Sequence, residues 1–302
     1  MNLTKLYFDG GTGTQLQKLG ILSDPVIANI SHPQAIIDVH RAYLQAGSNV
    51  ITANTFGAYS HKHSNFAEII AAAMANAKAA TENTDAYIML DLGPTGLMLE
   101  PYGDSTKQEL ADIFSQTIKH GVAHGADAIL IETMMDLNEL EIAALEAKKT
   151  NLPVFATMSF DPTGRTMYGA SIADLANLAQ RLQLDAVGIN CGQGFDGYKA
   201  LITELVSLAS QPVIVQPNAG LPEMVDGMAH YNLSPADFAQ FMAEVQSLGV
   251  QILGGCCGTT PAHIRHLRKL SEARENVSES GSICPRLNEF PEMSVAAITG
   301  RV

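Results

Sequence analysis

The chain is predicted to be an α/β protein folded as one (β/α)8 TIM barrel, and three observations predict it. Eight short apolar runs rich in Val, Ile, Leu, Phe and Ala recur along its 302 residues. Their near-continuous apolarity is that of parallel strands buried on both faces. Amphipathic helical stretches separate them, giving eight strand-then-helix units in succession.

The strands are expected at residues 6–10, 49–56, 87–93, 128–133, 154–160, 186–191, 213–217 and 251–255. The helices are expected at 32–46, 65–81, 105–124, 138–149, 171–182, 197–208, 234–248 and 261–274. Pro33 opens the first helix after Ser31, and the second is alanine-rich. Ser105, Asn138, Ser171, Ser234 and Thr260 are candidate N-caps, because a short side-chain oxygen can take one of the orphan amides of the first turn. Pro235 and Pro261 sit where a helix needs no N–H, and Gly47, Gly121 or Gly125, and Gly249 mark helix exits. No antiparallel hairpin is expected. An open eight-stranded sheet is the alternative, but no Gly-x-Gly-x-x-Gly or P-loop is present to favour it: Gly10-Gly11-Thr12-Gly13 has the wrong spacing. The barrel is expected over residues 1–274. Residues 275–302, with four serines, two prolines and no period, read as a tail or linker.

A net charge of -13, from 18 basic and 31 acidic residues, repels phosphate backbones and anionic membranes, so neither nucleic acid nor a membrane is expected as a partner. The N-terminus lacks the pattern of a signal peptide and no run of about 18 apolar residues occurs. A cytoplasmic location is therefore expected. Four cysteines are too few for a disulfide framework in such a chain.

In a barrel of this kind chemistry sits at the C-terminal ends of the strands. Polar residues expected there are Asp9, Asn54, Thr55, Asp91, Glu132, Thr133, Ser159, Asn190, Cys191, Asn218, Cys256 and Cys257. Three of the four cysteines thus fall on one rim, at the ends of the sixth and eighth strands. Tips two strands apart lie roughly 10 Å from each other at a strand spacing of ~4.8 Å, a gap that side chains and a small loop movement can close. Cys191, Cys256 and Cys257 make a feasible three-sulfur zinc site with an open fourth position. Inert buried cysteines or a disulfide are the competing readings, and Cys284, apart from the rest, reads as inert. Three thiolates leave zinc a weak Lewis acid for hydrolysis but able to hold an incoming thiol as thiolate, which points to alkyl transfer to sulfur. Asp9 and Glu132 would suit a substrate ammonium. The backbone amides of Gly10, Gly11 and Thr12 would suit its carboxylate. His61-Lys62-His63 lacks partners for a metal hydrolase and reads as a solvated loop.

Seven segments resemble the signatures of homocysteine S-methyltransferases: Asp9-Gly10-Gly11-Thr12-Gly13-Thr14, Thr52-Ala53-Asn54-Thr55-Phe56-Gly57, Asp91-Leu92-Gly93-Pro94-Thr95-Gly96, Glu132-Thr133-Met134, Gly188-Ile189-Asn190-Cys191, Pro217-Asn218-Ala219-Gly220 and Gly254-Gly255-Cys256-Cys257-Gly258-Thr259-Thr260-Pro261. They span roughly residues 5 to 270. Within that family the chain looks most like the homocysteine-binding barrel of cobalamin-dependent methionine synthase. The resemblance implies zinc on Cys191, Cys256 and Cys257, homocysteine sulfur completing the tetrahedron, and Asn218 in the fourth position before substrate arrives. It implies that Asp9 and Glu132 bind the substrate amino group, and it places Gly10, Gly11, Thr12, Asn54, Thr55 and Asn218 around the substrate. Methylcobalamin, carried on a separate protein or domain, is the implied donor, since no folate, cobalamin or reactivation module follows the barrel. A small donor such as S-methylmethionine, S-adenosylmethionine or betaine is the alternative. A non-catalytic zinc or thiol-sensing module is the alternative of another class.

Overall fold

The computed structural model describes residues 5–280, apart from 193, 194, 196, 226 and 227. Eight parallel strands form one sheet: β1 (Leu6–Tyr7), β2 (Val50–Thr52), β3 (Tyr87–Leu92), β4 (Ala128–Met134), β5 (Val154–Met158), β6 (Ala186–Cys191), β7 (Val213–Pro217) and β10 (Ile252–Leu253). Hydrogen-bonded ladders connect them in the order β1-β10-β7-β6-β5-β4-β3-β2. The expected (β/α)8 barrel is thus observed, nearly closed, with one seam between β1 and β2.

Helices alternate with the strands: α3 (Pro33–Ala46), α4 (Phe66–Thr81), α5 (Lys107–Ala123), α6 (Leu137–Lys148), α7 (Ile172–Leu182), α8 (Tyr198–Leu208), α9 (Pro235–Ser247) and α10 (Pro261–Ser280). Two more short helices lie between β1 and α3, α1 (Thr12–Lys18) and α2 (Ala28–Ser31), in a stretch where no element was expected. Ser171 and Ser234 cap their helices as expected. Two caps differ. Thr106, not Ser105, caps α5, in a capping box with Glu109, and Asp136, not Asn138, caps α6. In each case the residue with the side-chain oxygen at the right step from a free amide wins. The last helix runs to Ser280, six residues beyond the expected boundary. Cys284 and the rest of the tail lie outside the described residues.

The second correction is a hairpin. β8 (Pro222–Val225) pairs antiparallel with β9 (Met228–Tyr231) in the loop after β7. Its strands alternate weakly and β8 is exposed on both faces, which masked the pattern, although Asp226-Gly227 between them is a standard hairpin dipeptide.

The seam explains how the barrel holds its shape. At its lower end Asn49 donates its backbone N–H to Tyr7 O (2.9 Å), and its side-chain oxygen accepts from Tyr7 N (2.7 Å). The same reciprocal pair recurs in Asp127 with Ile88, Asp185 with Val154, and Gln251 with Val213. Each of these side chains precedes an even-numbered barrel strand, counting β10 as the eighth, and completes the odd-numbered strand before it. Two residues earlier stands a left-handed residue in every case: Gly47, Gly125, Gln183 and Gly249. The turn out of each helix therefore delivers a short polar side chain to a strand end. Asn49→Ala is expected to lower stability by about 1–3 kcal/mol, because it strands a buried amide at the one seam without a ladder. Urea denaturation checks this, and an unchanged midpoint would refute the seam's role.

Above this base the barrel interior is apolar. Leu6, Phe8, Met89, Leu130, Phe155 and Ile214 belong to one cluster inside the ring, separate from the larger cluster between sheet and helices. Because alternate residues of a strand face the same way, two steps on the interior turns polar: Met89 gives way to Asp91, Leu130 to Glu132, Phe155 to Thr157, and Ile214 to Gln216. That layer is the floor of the cavity at the mouth.

Candidate active site

A cavity of about 520 Å³ opens at the C-terminal ends of the strands. Asp9, Asp91 and Glu132 line one part of it, and Cys191, Cys256 and Cys257 another. Gly10, Gly11, Thr12 and Asn54 also reach it. The residues predicted from sequence are thus brought together, but two stay out of the lining: Asn218 is buried beside Cys191, and Thr55 is fully buried, its hydroxyl bonding the backbone of Asp91 (2.8 Å to O, 3.0 Å from N). Asn54 lines the cavity while donating to Pro25 O (2.7 Å), so it also secures the loop before α2. Gly11 spends its N–H on Thr259 Oγ1 (3.1 Å), leaving the first amides of α1 as the better anion donors.

The acidic part of the site is poorly solvated. Burial pushes the Asp9 carboxyl up to about 7, against the pull of hydrogen bonds from Thr52 N (2.9 Å) and Thr52 Oγ1 (2.7 Å). Those two bonds also close the seam at its upper end. Burial, then the charges of Asp9 and Cys191, push Glu132 up to about 8. Asp91 is raised for the same reason, with Glu132 and Asp9 adding repulsion, and its Oδ1 is buried without a hydrogen-bond partner. Gln216 Oε1, also at the cavity, is likewise unpartnered. Three carboxylates and a stranded amide oxygen form a pocket of acceptors awaiting donors.

The sulfur part is built from two strand ends. Cys191 closes β6 with φ at +58, a left-handed conformation that costs a non-glycine residue free energy and that clusters at functional sites. Cys256 and Cys257 follow β10. All three are free thiols, each partly accessible, so the disulfide reading is not supported. Cys191 Sγ accepts from both Cys256 and Cys257, and from Asn218 Nδ2 (3.4 Å). These bonds hold its thiol well below the ordinary range, and they push Cys257 up to about 11 and Cys256 up as well. The three sulfurs share their protons as one unit.

The donor set suits a thiophilic cation. Among the described residues no group of three acidic, histidine or cysteine side chains already stands in metal-binding geometry. The thiols face one another through their own hydrogen bonds, and loss of their protons would free three sulfurs for one ion. Asn218 Oδ1, buried and without a partner, is the available oxygen beside them.

Asn190 joins the two halves. Fully buried, it accepts from Thr133 N (2.8 Å) and Thr157 Oγ1 (2.8 Å), and it donates to Thr133 Oγ1 (2.7 Å) and Cys256 Sγ (3.9 Å). Its double grip holds Thr133 at φ +59, where the β4 register against β5 shifts. Glu132 and Cys256 are thereby fixed relative to each other.

Sequence reasoning missed Thr52, Gln216 and the pocket role of Asp91, all of which the two-residue step from the apolar layer points to. It also passed over Tyr231 on β9, whose hydroxyl hydrogen-bonds the Cys257 sulfur. In the His61-Lys62-His63 loop His61 Nε2 contacts Thr95 O (3.1 Å), His63 faces Asp24 (3.5 Å), and exposed Lys62 reaches the cavity rim.

Methionine synthases of Mycobacterium tuberculosis and Mycobacterium leprae are each 30% identical over 286 residues, covering 86% of this chain and 24% of the relative. The chain therefore spans about a quarter of the length of these curated relatives. Among solved structures, the metallated form of the homocysteine methyltransferase MmuM from Escherichia coli superposes with a TM-score of 0.74 at 21% identity, covering 88% of this chain and 96% of that one. Its apo form gives 0.70 at 22%. These structures share the fold. The family model for homocysteine S-methyltransferase matches residues 6–271, nearly the whole described barrel, and the chain belongs to that family.

Proposed function

We propose that this chain is a zinc-dependent homocysteine S-methyltransferase that forms methionine, taking the methyl group from a corrinoid carried on a separate protein or domain. The observation that carries the reading is the pairing, in one cavity, of three converging thiols with three poorly solvated carboxylates. Cys191, Cys256 and Cys257 would hold the metal, with Asn218 Oδ1 beside them until substrate arrives. Bound zinc would supply a site where a thiol is held as thiolate at neutral pH.

Asp9, Glu132 and Asp91 accept the three N–H groups of the substrate ammonium, whose charge offsets their repulsion. The free amides at the start of α1, Thr12 among them, receive the carboxylate. Gln216 Oε1 faces the space between. Held at both ends, the amino acid presents its sulfur to the cysteines, and this orientation replaces a bimolecular encounter by a positioned one.

Support for a large donor comes from the rim. Exposed apolar side chains stand on the segments that follow β2, β3, β5 and β7, among them Phe56, Tyr102, Met167, Leu221 and Met224. Tyr102 and Met167 are 82% and 80% exposed. A small donor needs no such surface, whereas a docking domain would cover it. Among the described residues no helix is long and apolar enough to cross a membrane.

The test is methionine formation from homocysteine with methylcobalamin, S-methylmethionine, S-adenosylmethionine and betaine in parallel. Turnover with methylcobalamin and none with the small donors is expected. Robust turnover with a small donor would overturn the corrinoid half of the proposal. Zinc bound without any turnover, its coordination unchanged by homocysteine, would favour a sensing module.

A further inference from the structure

The hairpin that interrupts the β7-to-α9 connection touches the sulfur site at one point, and that point is a tyrosine. Tyr231 is the last residue of β9, paired across the hairpin with Pro222. The base of the hairpin is fixed: Leu233 N donates to Ala219 O (3.2 Å), and Ala219 N donates to Cys257 O (2.9 Å). Asn232 Nδ2 adds a bond to Glu223 Oε2 (2.7 Å). The half-buried ring of Tyr231 lies against the backbone of Gly258, next to Cys257. A Cβ at residue 258 would stand 2.2 Å from the ring, and Gly258 has φ +78, so glycine is required there on two counts. This packing aims the Tyr231 hydroxyl at the Cys257 sulfur, with which it hydrogen-bonds. A phenol keeps its proton at neutral pH, so the hydroxyl is the donor of that bond.

We infer that Tyr231 is a positioning residue of the metal centre: its O–H donates to the Cys257 thiolate and its ring shields that sulfur from solvent, holding Cys257 on the metal. The inference rests on the zinc reading above. Three thiolates on a divalent ion leave a net charge near -1, and a hydrogen bond to one of them draws off part of that excess. Without it Cys257 becomes a more electron-rich ligand and a freer arm. Outer partners of this kind typically change metal affinity or activity by about 10–100-fold.

The test is Tyr231→Phe, which keeps the ring over Gly258 and removes only the hydroxyl. In the cobalt-substituted protein the sulfur-to-metal charge-transfer band is expected to move to lower energy. The zinc protein is expected to surrender its metal to a competing chelator about tenfold faster than wild type. A purely structural tyrosine would leave the band in place. Wild-type band position and metal-release rate in the variant would overturn the inference while leaving the zinc site standing. Failure of the wild type to take up zinc or cobalt would overturn the zinc reading and this inference with it.

Discussion

Cys256→Ala is expected to abolish stoichiometric zinc binding and to lower methyl transfer to homocysteine by about three orders of magnitude. The size follows from the several kcal/mol of charge stabilisation that a metal supplies, at about 1.4 kcal/mol per decade of rate. Cys256 is the largest single loss because it serves two functions. It donates to Cys191, and it receives the Asn190 amide that ties the sulfur site to Glu132. Metal analysis of the purified variant and a methyl-transfer assay check the two effects separately. Retained zinc with full activity would remove the basis of the proposed mechanism.

The second large effect is expected from Glu132→Gln. Truncating one partner of a buried charge pair costs about 2–5 kcal/mol. A fall of roughly 100-fold in kcat/KM is expected, most of it in KM, because in the proposed mechanism the carboxylate holds the substrate amine and not the reacting sulfur. The pH dependence distinguishes this from a loss of folding. Glu132 and Asp9 hold their protons up to about 8 and about 7 in the free protein, so binding an ammonium must displace protons. Homocysteine affinity is expected to rise from pH 6 to pH 8 in the wild type and to flatten in the variant. Stability runs the other way. A carboxyl whose value is raised on folding contributes in full below its ordinary value near 4.5 and loses that contribution as pH climbs through about 7 to 8. The metal-free wild type is therefore expected to melt lower at pH 8 than at pH 5, and Glu132→Gln to reduce the difference. Identical melting differences in the two proteins would show that Glu132 is not buried as a proton holder.

Both predictions draw on residues that the sequence already marked, and the reason is geometric. Cys191, Cys256, Asp9 and Glu132 each end an apolar run, and parallel strands put all such ends on one rim. What was hidden had other causes. Thr52 and Gln216 lie inside strands rather than beyond them, and only the alternation Val50 to Thr52 or Ile214 to Gln216 reveals that they face the same interior as Asp91, which the sequence already placed on the rim. The α1 helix starts within Gly-Gly-Thr-Gly, where intrinsic propensity argues against a helix and tertiary contacts such as Gly11 N to Thr259 Oγ1 override it. The caps moved by one or two residues because several neighbouring side chains could serve. Tyr231 could not be found at all from local pattern, since its importance depends on Gly258, 27 positions away, making room for its ring.

The reciprocal bonds of Asn49, Asp127, Asp185 and Gln251 divide the ring into four two-strand modules, each sealed within itself at the base. A chain cut between modules, near residues 82–86, 150–153 or 209–212, keeps every one of these seals inside a single continuous fragment, whereas a cut within a module severs one. The barrel is in this sense assembled from quarters, and new termini or recombined halves belong at the quarter boundaries.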